Sequence, residues 1–480
     1  MFLHMTERQR RVHTVAPMPA EKCAYALARY SRSPDSIAQS IEWVRTHNES
    51  KFLDSFYFQY GHASIADLGH VVMCFEGISE LAATEAEDEQ LWDGQARSSR
   101  YQNFGLSGCI VPSEFDDAQA ALYRQGTARL LRAYDEIHKK AVVHLSSKLP
   151  QPEGMKDDVY GRNIAARAFD IARYCLFWGI PTGVGQVTSI RTLERQIRRM
   201  KTSVYGEIRE LAGEIALACL EPATCTLDGE PAVAPIAPTL AKYVDADAYL
   251  STTRADLSAW AAQNLSLYSE AQTEDMDLLQ PTEVEADIAA TLLYPVTSKP
   301  FRALYDFARA NPKLRREVID VALQSRTKRD EMLREFRGGL FAYDMVMDIG
   351  AYRDMHRHRR CQQFRQSYGT HLGYETPQAI IDAGLTEFYR ATMDATFAAV
   401  DELPAPGSHY LLPFATRARF LFKMDFAEVE YISRLRSGVK GHFSYRKVAW
   451  EMKRKMDLLC PELGRLIDAT PPEIEDPLKR

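Results

Sequence analysis

Two short runs of cationic and hydroxyl side chains are where this chain could do chemistry. Arg357-His358-Arg359, preceded by Arg353 and followed by Ser367, concentrates positive charge beside Tyr343 to Met355, a segment apolar enough to be packed. A half-buried cationic run is costly unless an anion compensates it, so the arrangement suits a diphosphate or another small anion. Far upstream, Ser98, Arg100 and Tyr101 close a second polar run. A guanidinium fork with a hydroxyl beside it matches phosphate oxygens. Each group also has an ordinary alternative. Arg100 can pair with a carboxylate in its acid-rich surroundings, the Arg357 cluster can be a solvated helix end, and Arg436 can bridge to Glu430 or Asp425 on its own helix.

Other chemistries fit less well. His356 and His358 stand two residues apart and point to different faces of a helix, and no Cys or carboxylate completes a metal set at the usual spacing. Cys361 could be read as a nucleophile, but its reading as an unreactive small side chain is the stronger one. The eight cysteines are scattered without a CxxC pair, which fits a reduced cytoplasmic compartment. Net charge is −6, so there is no general attraction to nucleic acid or to an anionic membrane, and Arg357 to Arg360 lacks a wider basic stripe. No apolar run reaches membrane-spanning length, and the N-terminus lacks a signal-type apolar segment. A cytoplasmic protein acting on a small anion is the expectation.

The elements that must position these groups are partly legible. At 480 residues the chain exceeds one ordinary core, and with 46% hydrophobic and 26% charged residues it has the composition of a globular protein. Three prolines between Leu227 and Pro238 forbid a continuing helix and mark a boundary. The expected division is a first domain at 1–226, a linker at 227–250 and a second domain at 251–480. Asp158 to Leu220 reads as paired helices interrupted by a Gly179 to Gly185 turn cluster. Ala415 to Leu459 reads as a comparable helical stretch, with Phe420, Leu421, Met424, Val429, Ile432 and Leu435 in helical spacing. Gly77 to Tyr101 and Gly350 to Thr370 occupy corresponding places, so internal repetition is the working hypothesis.

Arg357-His358-Arg359 with Ser367 resembles the start and middle of the RHRxxSxNxxSxRY signature of the flavin-dependent thymidylate synthases, the ThyX family. The signature serine is Gln362 here, its asparagine is Phe364, and its closing Arg-Tyr is Gly369-Thr370. Laid on the same signature without gaps, the first half supplies Ser98, Arg100 and Tyr101 for the missing SxRY, while its RHR has become Asp88-Glu89-Gln90. Gly61 to Asp67 is similar to the family's GHxSxxEH segment, and Ala28-Arg29-Tyr30-Ser31 to its ARVS motif. Leu412-Pro413 through Arg436 is similar to the LP…NxxxxxxxxLNLR helix, with Asp425 in place of a flavin-contacting asparagine. Ala166-Arg167 aligns with a phosphate-contacting arginine, where the second half has His409.

The resemblance implies an α+β fold of two tandem, pseudo-twofold related domains, helix-rich with small mixed sheets. It implies one composite site. Ser98, Arg100, Tyr101 and Arg167 would form its nucleotide-phosphate wall, Asp354, Arg365 and Ser367 would lie near the pyrimidine, and Arg436 would face the base. Flavin would be held by Ser31, Ser64, Asp67, Arg357, His358, Arg359 and Asp425. The implied reaction is reductive methylation of dUMP to dTMP with FAD, NADPH and methylenetetrahydrofolate, in a homodimer equivalent to the family's tetramer. The rival readings are a catalytically silent paralogue and a flavoenzyme for another pyrimidine nucleotide. Glu85 to Glu89 would repel a diphosphate, so a second site should be inactive. Which of Arg195, Arg198 or Arg199 corresponds to Arg436 is left open by the spacing.

Overall fold

The computed structural model describes residues 18–30, 36–48, 53, 63–100, 103–226, 230, 232–239, 241–265, 274–327, 330–476 and 478. The first half runs α1 (Ala20–Tyr30), α2 (Ile37–Thr46), β1 (His70–Ser79), α3 (Glu80–Glu87), β2 (Asp93–Ala96), α4 (Asp117–Lys148), α5 (Asp157–Ala172), β3 (Pro181–Ser189), α6 (Ile190–Met200) and α7 (Gly206–Ala218). After α8 (Ala248–Asn264) come β4 (Met276–Leu279), α9 (Val284–Leu293), α10 (Phe301–Ala310) and α11 (Pro312–Leu323). The chain then runs β5 (Phe341–Asp348), α12 (Ile349–Met355), β6 (Gln362–Arg365), α13 (Thr386–Glu402), β7 (Arg417–Met424), α14 (Phe426–Arg436) and α15 (Phe443–Leu459). This is a helix-rich α+β protein. Among the described residues no helix is long and apolar enough to cross a membrane.

The repeat is visible in the strand order and in the caps. One sheet has the order β1-β3-β2, and the other has β4-β5-β7-β6, the same order with β4 added at an edge. The pairings of the second sheet are antiparallel throughout. Each repeat starts a helix twice on an oxygen-bearing cap that satisfies an otherwise orphaned amide. Ser79 accepts from the Ala82 amide and Asp348 from that of Ala351; Ser189 accepts from Thr192 and Asp425 from Glu428. From cap to second strand the two repeats stay in register without a gap, so β2 stands where β6 stands. The same holds from β3 through α6 and from β7 through α14.

A backbone exchange makes the pseudo-twofold explicit. The Trp178 amide donates to the Leu412 carbonyl (3.1 Å), and the corresponding Phe414 amide donates to Leu176 (2.6 Å). Gly179 to Tyr410 (2.7 Å) and Ala415 to Tyr174 (3.3 Å) form the second reciprocal pair, around a bridge between Phe177 and Pro413. Arg173-Tyr174-Cys175 and His409-Tyr410-Leu411 are therefore equivalent turns.

Two expected helical stretches are corrected by this pattern. Pro181–Ser189 and Arg417–Met424 are strands, and each leads straight into a capped helix. In β7 the buried residues Ala418, Phe420, Phe422 and Met424 alternate with half-buried Arg417, Arg419, Leu421 and Lys423. Phe420 and Met424 satisfy a four-residue helical step and a two-residue strand step equally, and only the residues between them separate the two. Gly179 is likewise not simply a turn residue. A Cβ there would lie 2.0 Å from the Tyr123 hydroxyl and 3.0 Å from the Tyr410 carbonyl, so the close approach of the paired segments requires glycine.

Two compact units make up the chain. One comprises Met1–Phe75, Leu91–Gln95 and Val184–Asn264; the other comprises Glu76–Gln90, Ala96–Gly183 and Leu265–Arg480 and contains parts of both repeats. In the first unit Ile190, Leu193, Ile197 and Met200 of α6 are fully buried. There, Pro235 bridges to Pro222 and the Ala237 amide donates to Cys219, giving the Pro-rich segment the extended pairing that its prolines favour. In the second unit Phe341, Tyr343, Phe420, Phe422, Val429, Ile432 and Met452 are buried between sheet and helices, and α9 and α10 meet at Ala286, Ala289 and Ala308. Helix α4 packs on both α5 and α13.

Candidate functional site

Within the second unit the arginines of the two repeats converge on buried carboxylates. Arg100 donates from Nε and Nη2 to both oxygens of Asp170 (2.8 and 3.1 Å), from Nη1 to the Tyr445 hydroxyl (3.1 Å), and from Nη2 to the Lys440 carbonyl (3.2 Å). Asp170 is fully buried. Arg173, also buried, donates to Asp354 (3.1 Å) and to the Gly350 carbonyl (2.8 Å). Arg353 donates to Glu80 (2.9 Å from Nε) and to the Ser99 hydroxyl (2.9 Å). Burial by itself would raise the Asp354 carboxyl, but Arg173, Arg436, Arg100 and Arg353 together hold it below the ordinary range. Burial dominates at Glu80 and pushes its carboxyl up despite Arg353.

Beside this cluster Arg436 closes α14. Its Nε donates to His358 Nε2 (2.8 Å), and its guanidinium lies 5.5 Å from the centre of the Tyr445 ring, with that of Arg100 at 5.9 Å. No protein acceptor takes its terminal nitrogens among the described residues. His358 is buried, with Nδ1 3.4 Å from Glu428. Burial, assisted by Arg436 and Arg359, lowers its pKa against the opposing pull of Glu428. The imidazole thus faces inward, onto Arg436, while the half-buried Arg357 and Arg359 flank it. Arg359 lines a cavity of about 260 Å³ whose other residues include His356, Glu87, Asp88 and Glu89. His356 itself is within 3.1 Å of the Tyr352 hydroxyl, 3.0 Å of Gln363 and 3.2 Å of the Thr84 carbonyl.

The remaining expected residues separate into groups. Ser98 accepts from the Arg100 amide (3.3 Å). Asp425 is the cap of α14 and pairs with Arg337 (3.3 Å). Arg365 pairs with Glu85 and lies 3.6 Å from Asp88, whereas Asp354 pairs with Arg173; these two do not share partners. Ser367 is exposed. Ser64, exposed, and Asp67, bonded to Arg191 (2.9 Å) and the Ser189 hydroxyl (3.3 Å), belong to the other compact unit. Tyr101 and Ser31 lie outside the described residues.

Two alignments change. Arg167 pairs with Glu475 (2.6 Å), and the residue equivalent to His409 is Arg173, because the paired turns fix that register. The counterpart of Arg436 is none of Arg195, Arg198 and Arg199. Both helices follow their caps and end without a gap, which places Met200 there. The signal was present in the sequence: Arg173 precedes Leu176-Phe177 as His409 precedes Leu412-Pro413. Asp170, Glu80, Glu428 and Tyr445, by contrast, carry no motif and are recognised only through their partners.

Similarity to known proteins agrees with this duplicated architecture. The chain is similar to a UPF0159 protein of Chlamydia muridarum (24% identical over 433 residues, covering 85% of this chain and 77% of the relative). It is also similar to a UPF0159 protein of Thermoplasma acidophilum (23% over 490 residues, covering 92% and 93%). The profile of the Thy1 family, described as thymidylate synthase complementing protein, matches residues 13–222 and again 260–462. Matched twice, once per repeat, this chain belongs to the thymidylate synthase complementing protein (ThyX) family.

Proposed function

We propose that the protein is a flavin-dependent, ThyX-like enzyme that methylates dUMP reductively to dTMP, with the repeats spanning 1–226 and 251–480 around a 227–250 linker. The observation that carries this reading is the geometry of Arg436. Its guanidinium is fixed at Nε by His358 and set over Tyr445, while its terminal nitrogens lack a protein acceptor among the described residues. Two preset N–H donors of this kind suit a uracil carbonyl, where they stabilise the negative charge that develops as C5 attacks a one-carbon unit. Arg357 and Arg359 would be the donors for an anionic cofactor such as FAD, whose diphosphate would have to sit clear of Glu87, Asp88 and Glu89, which line the same cavity as Arg359. Bound FAD would carry reducing equivalents from NADPH to the carbon supplied by methylenetetrahydrofolate. The chain's own part is to bind, orient and supply charge. A homodimer placing four repeats together, in the cytoplasm, completes the proposal.

One observation favours the second reading, a silent binding module. Arg100, Arg173 and Arg353 are each already paired with a carboxylate of the chain, so a substrate phosphate must compete with Asp170, Asp354 or Glu80. Visible spectroscopy of the purified protein with added FAD, followed by dUMP titration and tritium release from labelled dUMP, decides between them. Flavin bands that shift with dUMP and release of tritium support the enzyme. A protein that takes up no flavin sinks that reading.

A further inference from the structure

We propose that Glu428 is a positioning residue, acting through the His358 imidazole to hold the Arg436 guanidinium in its base-facing orientation. The inference rests on the ThyX-like reading for its purpose, but the relay itself stands on geometry. A guanidinium Nε–H can only donate, so the 2.8 Å contact from Arg436 makes His358 Nε2 an acceptor and puts the ring proton on Nδ1. Nδ1 faces Glu428 Oε1 at 3.4 Å, and both side chains are about 5% exposed. The carboxylate therefore selects the tautomer that Arg436 needs. Glu428 is in turn held by its place in α14, where its amide donates to Asp425 (3.0 Å).

The groups facing His358 are Glu428, Arg436 and Arg359, together with the Tyr431 ring at 5.7 Å, and Gln363 Nε2 donates to its backbone carbonyl (3.0 Å). No other acceptor competes for Nδ1 in this set. Since Arg357 and Arg359 adjoin His358 in the chain, the relay also ties the proposed flavin-binding loop to the arginine that faces the base. At the corresponding places in the first repeat stand Thr192, Glu89 and Met200, which cannot form such a chain. The relay thus belongs to one of the two pseudo-equivalent places.

The test compares Glu428→Leu with Glu428→Gln in the full-length protein. Histidine-selective nitrogen-15 labelling and NMR of the ligand-free protein read the tautomer, with His358→Gln assigning its resonance. In the wild type and in Glu428→Gln, whose amide oxygen still accepts, the expected signature is an unprotonated Nε2. In Glu428→Leu a tautomer mixture is expected, with dUMP binding weakened about tenfold. A Glu428→Leu protein with the wild-type tautomer and wild-type dUMP titration overturns the relay. Wild-type protein that shows the expected tautomer yet ignores dUMP leaves the relay supported and sinks the proposed substrate instead.

Discussion

The two pseudo-equivalent places, one around Arg100 and the other around Gly369, start from the same backbone and end with different charge chemistry. Around Arg100 stand Arg173, Arg353, Asp354, His358 and Arg436; in sequence register their counterparts are His409, Thr84, Glu85, Glu89 and Met200, the last belonging to the other compact unit. The first place gathers guanidiniums and counters them with Asp170, Glu80 and Asp354. At the second, Arg365 is engaged by Glu85. Duplication within one chain lets each copy of a motif specialise. The RHR of the signature stands in one copy and its SxRY in the other, while its first serine and its asparagine stand in neither.

Breaking the Arg100 side should cost most. Asp170→Ala leaves a largely buried guanidinium without its bidentate carboxylate, and a loss of about 3–5 kcal/mol in urea unfolding is expected. Glu85→Ala should cost about 1–2 kcal/mol, because Arg365 retains Asp88 nearby. Equal losses for the two variants would remove the asymmetry. Next in size is Arg436→Met, which installs the residue of the other repeat. Nucleotide binding by calorimetry should weaken by about 2–3 kcal/mol, on the order of a hundredfold, with little change in stability because Arg436 is only partly buried. An unchanged dUMP titration would take Arg436 out of the site.

The histidines separate the two places by pH, to a smaller extent. Burial, with Arg173 adding to it, drives His442 well below its ordinary value, and burial also lowers His358 and, around Gly369, His409. In each, folding favours the neutral form. Below about pH 6.5 the unfolded chain takes up protons that the folded chain does not, so this contribution to stability is present above that value and is lost as pH falls toward the depressed folded value. Asp348, raised by burial to about 6, acts in the opposite sense, with a contribution lost as pH rises through that value. Variants isolate the histidine contribution. Between pH 7.5 and 5.5, His442→Gln should reduce the acid-induced loss of stability by about 1 kcal/mol relative to wild type. A variant losing as much as wild type would show that His442 is not held neutral.

How far the sequence foretold this site depended on how local each feature was. The gapless overlay of Asp88-Glu89-Gln90 on Arg357-His358-Arg359 holds, because cap, helix and strand fix the spacing within about twenty residues. Strands β3 and β7 were hidden because Phe420 and Met424 fit both periods and because the glycines before β3 look like a turn. Arg173 was missed for Arg167 by six positions; with α5 ending at Ala172, only the pairing of Tyr174–Gly179 with Tyr410–Ala415 sets that register. The carboxylate partners were beyond reach for a different reason. Asp170, Glu80 and Glu428 meet residues 70 or more positions away, and no motif spans such a distance.

The smallest expected effect is the sharpest test of the division. Arg365 and Ser367 fall on signature positions that imply contact with the pyrimidine, and on that basis they belong with Arg436. Their neighbours differ from those of Arg436: Arg365 is committed to Glu85 on α3, Ser367 is exposed, and the positions equivalent to them in the first repeat are Ala96 and Ser98, the latter bonded to the Arg100 amide. By the pseudo-twofold, Ser98 serves the Arg100 side and Ser367 the Gly369 side. Arg365→Ala and Ser367→Ala should therefore leave dUMP affinity within about twofold of wild type, a change below the energy of one ordinary hydrogen bond. Ser98→Ala, made at the same position of the other repeat, should weaken it severalfold. If Ser367→Ala is instead the more damaging of the two serine variants, the nucleotide lies on the Gly369 side, and the carboxylates that pair with Arg100, Arg173 and Arg353 are then the mark of the inactive half.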